Sequence, residues 1–414
     1  KKKMNYLLNN LKFDSKTFLI LLITFFPLTL LIGSSFINST VVLIDLLFLF
    51  ILIKEKKLNF FNNQTFYILV FLWFTLIINM ILSIDIDNSL TRAFGFVRFI
   101  IFVFAIKFIL NKNENDDKFI FIAWFLIFGI VTIDIVFESI FGFNTLGFKN
   151  NFPGRISSFL NDELKIGNFY YGFILFALSF IYYNTKNKKN FFVFLIFFTF
   201  VSFLIGERSN FLKIFTIIFF LYLLVDKTVL WKKLATILVF FILITLFISQ
   251  NNNYKERFFN QTFKNLAEHN YSIENYFKFT TYGAHYDTAI KIFKNYPYFG
   301  VGLKNYRLES GKNKYVNPEY RFNEKRKTTH PHQIHLEFLS ELGIFGYVSF
   351  FVFFFIFLKK SIYIQIKNRN LYHLSGILFI LVSFMPLIPS GSFFTTYGAA
   401  IFWLNFSIVE AFND

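Results

Sequence analysis

The chain contains a series of apolar stretches that are long enough to cross a lipid bilayer, and this feature restricts the fold more than any other. A helix needs about 20 apolar residues to span the hydrocarbon core. Hydrophobic residues make up 55% of the 414-residue sequence, which is more than a soluble protein of this length requires. We therefore predict an all-α, polytopic membrane protein. About twelve spans are expected, at 17–36, 39–53, 64–82, 93–110, 118–137, 164–183, 191–205, 210–225, 234–249, 337–358, 371–389 and 396–412.

One polar segment, residues 250–336, is much longer than the other connections between spans. Apolar residues recur at helical spacing between 284 and 296, which predicts a helix within this segment. The expected organisation is therefore a first group of transmembrane helices in 1–249, a helical loop in 250–336, and the remaining transmembrane helices in 337–414.

The distribution of Lys and Arg predicts the orientation in the membrane. If the N-terminus is cytoplasmic, the short cytoplasmic tethers contain 20 Lys and Arg residues and the external tethers contain 5. The positive-inside rule then places both termini in the cytoplasm and the loop 250–336 outside. The net charge of +17 is explained by these tethers, so we expect no nucleic-acid partner. The absence of Cys excludes thiol catalysis and thiolate metal sites.

Two external arginines are candidates for binding an anion. Arg208 lies in the short turn between two spans, and Arg155 precedes another span. The planar guanidinium stays charged and fits phosphate oxygens. The alternatives for Arg208 are a salt bridge with Glu207 or an anchor at the membrane interface. Asp134, which lies within a span, is open between structural pairing and a substrate role.

A histidine-rich segment, Thr329–Glu337, precedes the span that begins near 337. The residue types allow a zinc site, a plain interfacial cluster or a general base. Helical spacing would place His332 and His335 on one face, while Pro331 would separate His330. Positions 336, 339 and 343 continue the face of His332, so we expect His332 to cap the span and to point into an external cavity.

Four patterns resemble those of the O-antigen ligase and O-antigen polymerase superfamily, which are bacterial integral-membrane glycosyltransferases. Their order along the chain, with about twelve spans and one large late loop, is more specific than any single pattern. They are Asp134–Gly147, the Arg-x-x-x-Leu run Arg208–Leu212, the Pro-x-x-Gly-x-Gly stretch within Tyr296–Tyr306, and the His-x₁₀-Gly run His332–Gly343.

The resemblance implies transfer of a glycan from undecaprenyl diphosphate to an acceptor hydroxyl at the periplasmic face of the bacterial inner membrane, with inversion and without a cofactor or metal. The implied site residues are His332 as catalytic base, Arg208, Arg155 and Arg307 as diphosphate ligands, and Glu207, His330 and His335 as supporting residues. The chain departs from the pattern in two places: Gln333 follows the histidine where Asn is common, and the helix that begins near Tyr282 lacks the Arg often found there.

The acceptor remains open at this stage. A ligase would use the lipid A-core glycolipid, and a polymerase would use a second lipid-linked repeat. A non-enzymatic alternative is a transporter of lipid-linked glycans, but that would need charges spread along a path through the spans. A non-catalytic scaffold is a third alternative. The sequence also lacks a nucleotide-binding loop, so an external site must use an already activated donor.

Overall fold

The computed structural model describes residues 14–110, 114–149, 152–161, 163–186, 188–225, 229–264, 267, 272–386 and 388–413. The chain is helical throughout most of these segments, which confirms the predicted all-α class. The longer helices are α1 (Ser15–Ile32), α2 (Ser34–Lys54), α3 (Gln64–Ile81), α4 (Ile86–Gly95), α5 (Val97–Leu110), α6 (Glu114–Phe141), α7 (Ile166–Asn184), α8 (Lys188–Leu204), α9 (Arg208–Val225), α10 (Leu230–Gln250), α11 (Ile273–Lys278), α12 (Thr281–Asn295), α13 (Ile334–Asn368), α14 (Leu371–Ser383) and α15 (Thr396–Ala411). Shorter helical segments are Leu58–Phe61, Ser158–Leu160, Asn252–Tyr254, Tyr306–Glu309, Asn313–Tyr315, Asn323–Arg326 and the π-helix Lys255–Lys264.

Each predicted span overlaps a helix of the structure. Within the described residues, nine helical segments are long and apolar enough to cross a membrane, with α4 and α5 counted as one segment. Helices α8 and α14 are shorter apolar helices. The protein is therefore a polytopic helical membrane protein. The main difference lies in α13, which continues to Asn368 beyond the predicted end at 358, because the Lys residues that follow the apolar run also favour helix.

Helix α15 lies at the centre of the bundle. Nearly all of its side chains are buried, and it packs against α5 and α14. Helix α10 lies at the periphery and exposes apolar side chains such as Leu238 and Leu243. An exposed apolar helix is expected where lipid replaces protein as the neighbour.

The loop is attached to the transmembrane bundle at a break in α13. Gly343 has φ 65° inside this helix, so the helical hydrogen bonds are interrupted there. The Ile344 N–H donates instead to the Pro297 carbonyl at 2.8 Å. A Cβ at Gly300 would lie 2.4 Å from the carbonyl carbon of Glu341, so the two backbones meet too closely for any side chain. Two patterns noted in the sequence thus form a single contact that fixes the loop to the span.

Candidate active site

Two glycine-containing turns pass very close to each other at the end of the bundle that carries the loop. Gly206 has φ 73°, and a Cβ there would lie 1.9 Å from the Gly154 carbonyl oxygen, so only glycine allows the approach. The adjacent backbones are joined by a hydrogen bond from the Ile156 N–H to the Ile205 carbonyl at 3.0 Å. Arg155, which follows Gly154, and Arg208, which lies two residues after Gly206, are thereby brought to one surface.

The segment that carries Arg155 is held by two buried carboxylates of α6. Asp134 accepts a hydrogen bond from the Ser158 hydroxyl at 2.5 Å. Glu138 accepts from the backbone N–H groups of Ser157 at 3.2 Å and Ser158 at 2.7 Å. Buried charges need such partners. The sequence left two roles open for Asp134, and its described contacts are structural.

Arg208 begins α9 and lies against the π-helix of the loop. Its Nη1 donates to the carbonyls of Arg257 at 3.4 Å and Gln261 at 3.3 Å. The Nε of Arg257 donates to the Gly206 carbonyl. Burial lowers the pKa of Arg257 to about 10, and the charges of Arg155 and Arg208 lower it further. Three guanidinium groups from three segments are therefore within electrostatic reach, and we call Arg155, Arg208 and Arg257 the arginine cluster.

Glu207 connects the arginine cluster to α7. Its carboxylate accepts from the Asn210 side chain at 2.5 Å and from the Gly167 N–H at 3.3 Å. Burial raises the pKa of Glu207, whereas these hydrogen bonds and the charges of Arg155 and Arg257 lower it. The carboxylate therefore ties the start of α9 to the start of α7, a contact that the sequence did not predict.

Three histidines from α12 and from the segment before α13 meet. The ring centroids of His330 and His332 lie 4.1 Å apart, and His285 of α12 stacks on His332 at 5.0 Å. We call these three residues the histidine cluster. The expectation that Pro331 separates His330 from His332 is therefore wrong, because the chain turns sharply here instead of continuing as a helix. Tyr282 of α12 also contacts His332, with ring centroids 6.2 Å apart.

The backbone of His332 differs from the predicted helical cap. Helix α13 begins at Ile334, and Gln333 is its N-cap. His332 lies before the cap with φ 56°, so it does not share a helical face with positions 336, 339 and 343. The Ser390 N–H donates to its carbonyl at 2.8 Å and fixes this strained conformation. Strained backbone of this kind is often found at functional sites.

The surroundings keep the histidine cluster neutral. Burial lowers the pKa of His332 to about 3, and any positive charge on His330 or His285 lowers it further. Burial likewise lowers the pKa of His330 to about 4, and His285 and Arg307 add to this effect. A neutral imidazole has a lone pair that can accept a proton, which a general base requires.

His335 does not join the histidine cluster. Its ring nitrogens lie 3.1 Å from the Tyr347 hydroxyl and 2.8 Å from the Phe384 carbonyl, so both are occupied within the bundle. Glu337 accepts from the Phe393 N–H at 2.9 Å. Among the residues that the structure describes, no group of three His, Cys, Asp or Glu side chains is arranged to hold a metal ion.

Arg307, which the sequence grouped with Arg155 and Arg208, lies in a second basic group. Burial lowers the pKa of Lys304, and the charges of Arg92 and Arg307 lower it further, whereas Glu341 raises it. We call Arg92, Lys304 and Arg307 the basic cluster. The charge of Arg307 lowers the pKa of His330, so the basic cluster acts electrostatically on the histidine cluster.

An apolar groove runs along the bundle beside α9. Helices α8, α9 and α10 line it, with Phe215, Ile218 and Tyr222 on the α9 side, and its empty volume, which is partly open to the surroundings, is about 690 Å³. At about 1.5 Å of rise per residue, Phe215 lies roughly 10 Å along α9 from Arg208. The groove therefore lies in the transmembrane region below the arginine cluster.

Residues 191–351 match the family model described as O-antigen ligase. The matched range includes Arg208, Arg257 and the complete histidine cluster. This part of the chain is similar to the O-antigen ligase family. The match confirms the predicted resemblance to the O-antigen ligase and polymerase superfamily. No curated protein matches the chain.

Three residues within the matched range contact the predicted site but were not singled out from the sequence: Arg257, Tyr282 and His285. Helix α12 was predicted, and the lack of an Arg near its start was noted. No pattern in the sequence indicates that Arg257 approaches Arg208, because a long loop does not fix which of its cations meets a distant turn.

Proposed function

We propose that the protein transfers a glycan from undecaprenyl diphosphate to an acceptor hydroxyl at the external face of the membrane, with inversion and without a metal ion. The similarity of residues 191–351 to the O-antigen ligase family supports a reaction of this class. The observation that carries the proposal is the convergence of the arginine and histidine clusters. Tyr282 connects them, since it contacts His332 and lies within electrostatic reach of Arg257.

The arginine cluster has the chemistry to bind the diphosphate of the donor. Each guanidinium donates charge-assisted hydrogen bonds to phosphate oxygens and keeps its charge. Arg208 also begins an 18-residue helix, and the N-terminus of a helix attracts anions. Positive charge at the leaving group stabilises the negative charge that develops there, which is the role that a divalent metal plays in other enzymes.

The apolar groove fits the lipid part of the donor. It lies along α9, the same helix that presents Arg208 at its start. A polyprenyl chain attached to a diphosphate at the arginine cluster would enter the bilayer at this point. Apolar side chains such as Phe215 and Ile218 would then replace lipid around the first isoprene units, and burial of apolar surface would favour binding.

His332 is the proposed general base. Its ring nitrogen takes the proton of the acceptor hydroxyl, and the hydroxyl oxygen attacks the anomeric carbon of the donor. The bond from that carbon to the diphosphate breaks, and the diphosphate leaves with the electron pair. Attack opposite the leaving group inverts the anomeric centre. In the free enzyme the pKa of His332 is lowered to about 3 by burial. The negative charge of a bound diphosphate would raise this pKa toward the working range.

The preferred reaction is that of an O-antigen ligase, with the lipid A-core glycolipid as acceptor. Repeat-unit polymerisation is the alternative within the same superfamily. In both cases the protein would lie in the bacterial inner membrane with cytoplasmic termini and a periplasmic loop. Attachment of the loop at Gly343 and the meeting of Arg155 with Arg208 support placing all proposed site residues at one bilayer surface.

The proposal can be tested by transfer from a defined undecaprenyl-diphosphate-linked glycan in proteoliposomes that contain EDTA. Arg257→Ala should reduce kcat/KM by about tenfold or more, because one charge-assisted contact to the diphosphate is lost. Arg321→Ala is the matched control, since Arg321 is an exposed loop arginine packed over the Phe322 ring. Absence of transfer by wild type to either acceptor, or equal effects of the two substitutions, would refute the proposal.

A further inference from the structure

We infer that Arg92, Lys304 and Arg307 form a second anion site, which binds a phosphate group of the acceptor lipid. The inference rests on the proposed function and extends it, because it states what kind of acceptor the enzyme takes. The enzyme would then hold two phosphorylated lipids, with the donor at the arginine cluster and the acceptor at the basic cluster.

The geometry of the basic cluster is set by backbone contacts between α4 and the loop. The Ser89 hydroxyl donates to the Leu303 carbonyl at 2.9 Å. Arg92 lies about one helical turn after Ser89, and Lys304 directly follows Leu303. The hydrogen bond therefore joins the two segments that carry these cations, and the two charges lie within electrostatic reach of each other. Arg307 lies in the short helix that follows, Tyr306–Glu309, and is the third cation of the basic cluster.

A second set of contacts fixes the position of Lys304. The Asn305 side chain donates to the Asp85 carbonyl at 2.8 Å, at the start of α4. The Lys304 N–H donates to the Glu341 carboxylate at 3.0 Å. Lys304 itself has φ 63°, a conformation that is uncommon for a residue with a side chain. The loop is thus held in a strained form that keeps its cation next to Arg92.

The basic cluster is poorly suited to stabilising the fold. Three positive groups lie within electrostatic reach of one another, and a single carboxylate, that of Glu341, acts as counter-charge on all three. Arg92 donates to a neutral partner, the Thr396 hydroxyl, at 3.2 Å. Like charges at short range in a half-buried setting repel each other, so this arrangement costs free energy in the absence of an anion. A bound phosphate would relieve the repulsion.

The position relative to the base assigns the basic cluster to the acceptor. Arg307 of the basic cluster acts electrostatically on His330, whose ring contacts His332. Arg257 of the arginine cluster interacts electrostatically with Tyr282, whose ring also contacts His332. The two basic groups therefore approach the base through different neighbours. A general base must contact the attacking hydroxyl and face the donor carbon. An acceptor anchored by Arg307 would meet this condition without displacing the donor diphosphate.

The chemistry recognised is a phosphate on a lipid-linked glycan. Two sources share it: the phosphorylated sugars of a core glycolipid, and the diphosphate of a second lipid-linked repeat. Arg307 is exposed, so its substitution should not disturb folding. Steady-state kinetics with Arg307→Gln should therefore show a KM for the acceptor that is about tenfold higher or more. The KM for the donor should change less than about twofold, and Lys304→Gln should act in the same direction.

The experiment uses both acceptors and a phosphate-free analogue of each: the core glycolipid after removal of its phosphate groups, and the lipid-linked repeat with its diphosphate replaced by an uncharged linker. Arg321→Gln is the control. The acceptor whose KM depends on Arg307 only while it is phosphorylated identifies the source. An unchanged acceptor KM in Arg307→Gln, an equal rise in donor KM, or an effect that persists with both phosphate-free analogues would overturn the inference and leave the proposed function intact. Absence of transfer by wild type would reject the proposed function as well.

Discussion

Buried cations have different surroundings at the two ends of the helical bundle. Helices α4 and α5 begin beside Arg92 at the loop face and end near Lys107 at the other face. Lys107 forms an ion pair with Glu410 at 2.9 Å, with 4% and 0% of their side chains exposed. The Glu410 carboxylate also accepts from the Thr65 hydroxyl at 3.0 Å and from the Asn63 amide at 3.2 Å. The buried charges of Lys107 and Glu410 are therefore paired, and both carboxylate oxygens of Glu410 accept hydrogen bonds.

The cations of the loop face lie near other cations. The guanidinium groups of the arginine cluster gather near one another, and the Nδ1 of His285 is buried with no hydrogen-bond partner among the described residues. His332 and Lys304 have strained backbone conformations. By contrast, His373 at the other face uses both ring nitrogens, at 3.1 Å from Gln365 and 3.0 Å from Asn413. One end therefore stabilises the fold, and the other retains unsatisfied groups that a substrate can satisfy.

The largest expected effect is loss of activity in His332→Ala. A positioned general base contributes typically 10²–10⁴-fold to the rate, so transfer should fall by about that factor. Donor binding and thermal stability should stay close to wild type, because His332 is only half-buried. His373→Ala is the comparison: it should lower the melting temperature and keep kcat/KM per folded molecule. If both substitutions reduced stability and left the rate of the folded enzyme unchanged, the proposed difference between the two ends would be wrong.

Glu410→Gln should have the largest effect on stability. It leaves the buried Lys107 without its counter-charge, and breaking a buried ion pair costs about 3–5 kcal/mol in the free energy of unfolding. Chemical denaturation in detergent measures this loss. Arg257→Ala at the loop face should lower the unfolding free energy much less, because it also removes repulsion from Arg155 and Arg208. A Glu410 variant as stable as wild type would contradict the structural role assigned to that end.

Arg208→Lys should reduce transfer about tenfold while it preserves the charge. A lysine cannot reproduce the planar pair of donors, and loss of one charge-assisted hydrogen bond costs roughly 1.5–3 kcal/mol. Initial rates at saturating acceptor measure the effect. Lys165→Arg provides a control for the opposite exchange, since Lys165 pairs with Glu163 on the surface. Transfer by Arg208→Lys at nearly the wild-type rate would show that Arg208 serves only as an interface anchor.

The smallest expected effect is a displacement of the acid limb of the pH profile. An ordinary imidazole would lose its basic form below roughly pH 6.5. Because burial lowers the pKa of His332, the free enzyme stays neutral at this residue to lower pH. The acid limb of kcat/KM should therefore lie below pH 6.5, and that of kcat should lie at higher pH, since bound diphosphate raises the pKa. An acid limb of kcat/KM above pH 6.5 would exclude this assignment.

The helices at both ends follow from the sequence, whereas the contacts of the histidine cluster do not. Apolar length predicted the helices, because a segment in lipid must satisfy its backbone within itself. The Arg208 and His332 patterns predicted the superfamily, which the match over residues 191–351 confirms. The proximity of His330 to His332 was missed because it depends on the positive φ of His332, and helical spacing does not encode such a turn.

The sequence by itself determined the all-α membrane architecture, the resemblance to the O-antigen ligase and polymerase superfamily, and the candidate residues Arg208 and His332. Only the tertiary structure decided which groups meet. It placed Arg257 beside Arg208, stacked His285 on His332, and moved Arg307 into a group with Arg92. The physical reason is that helix formation depends on neighbours within a few residues, whereas a site joins segments whose contact is fixed by close glycine approaches such as Gly154 with Gly206.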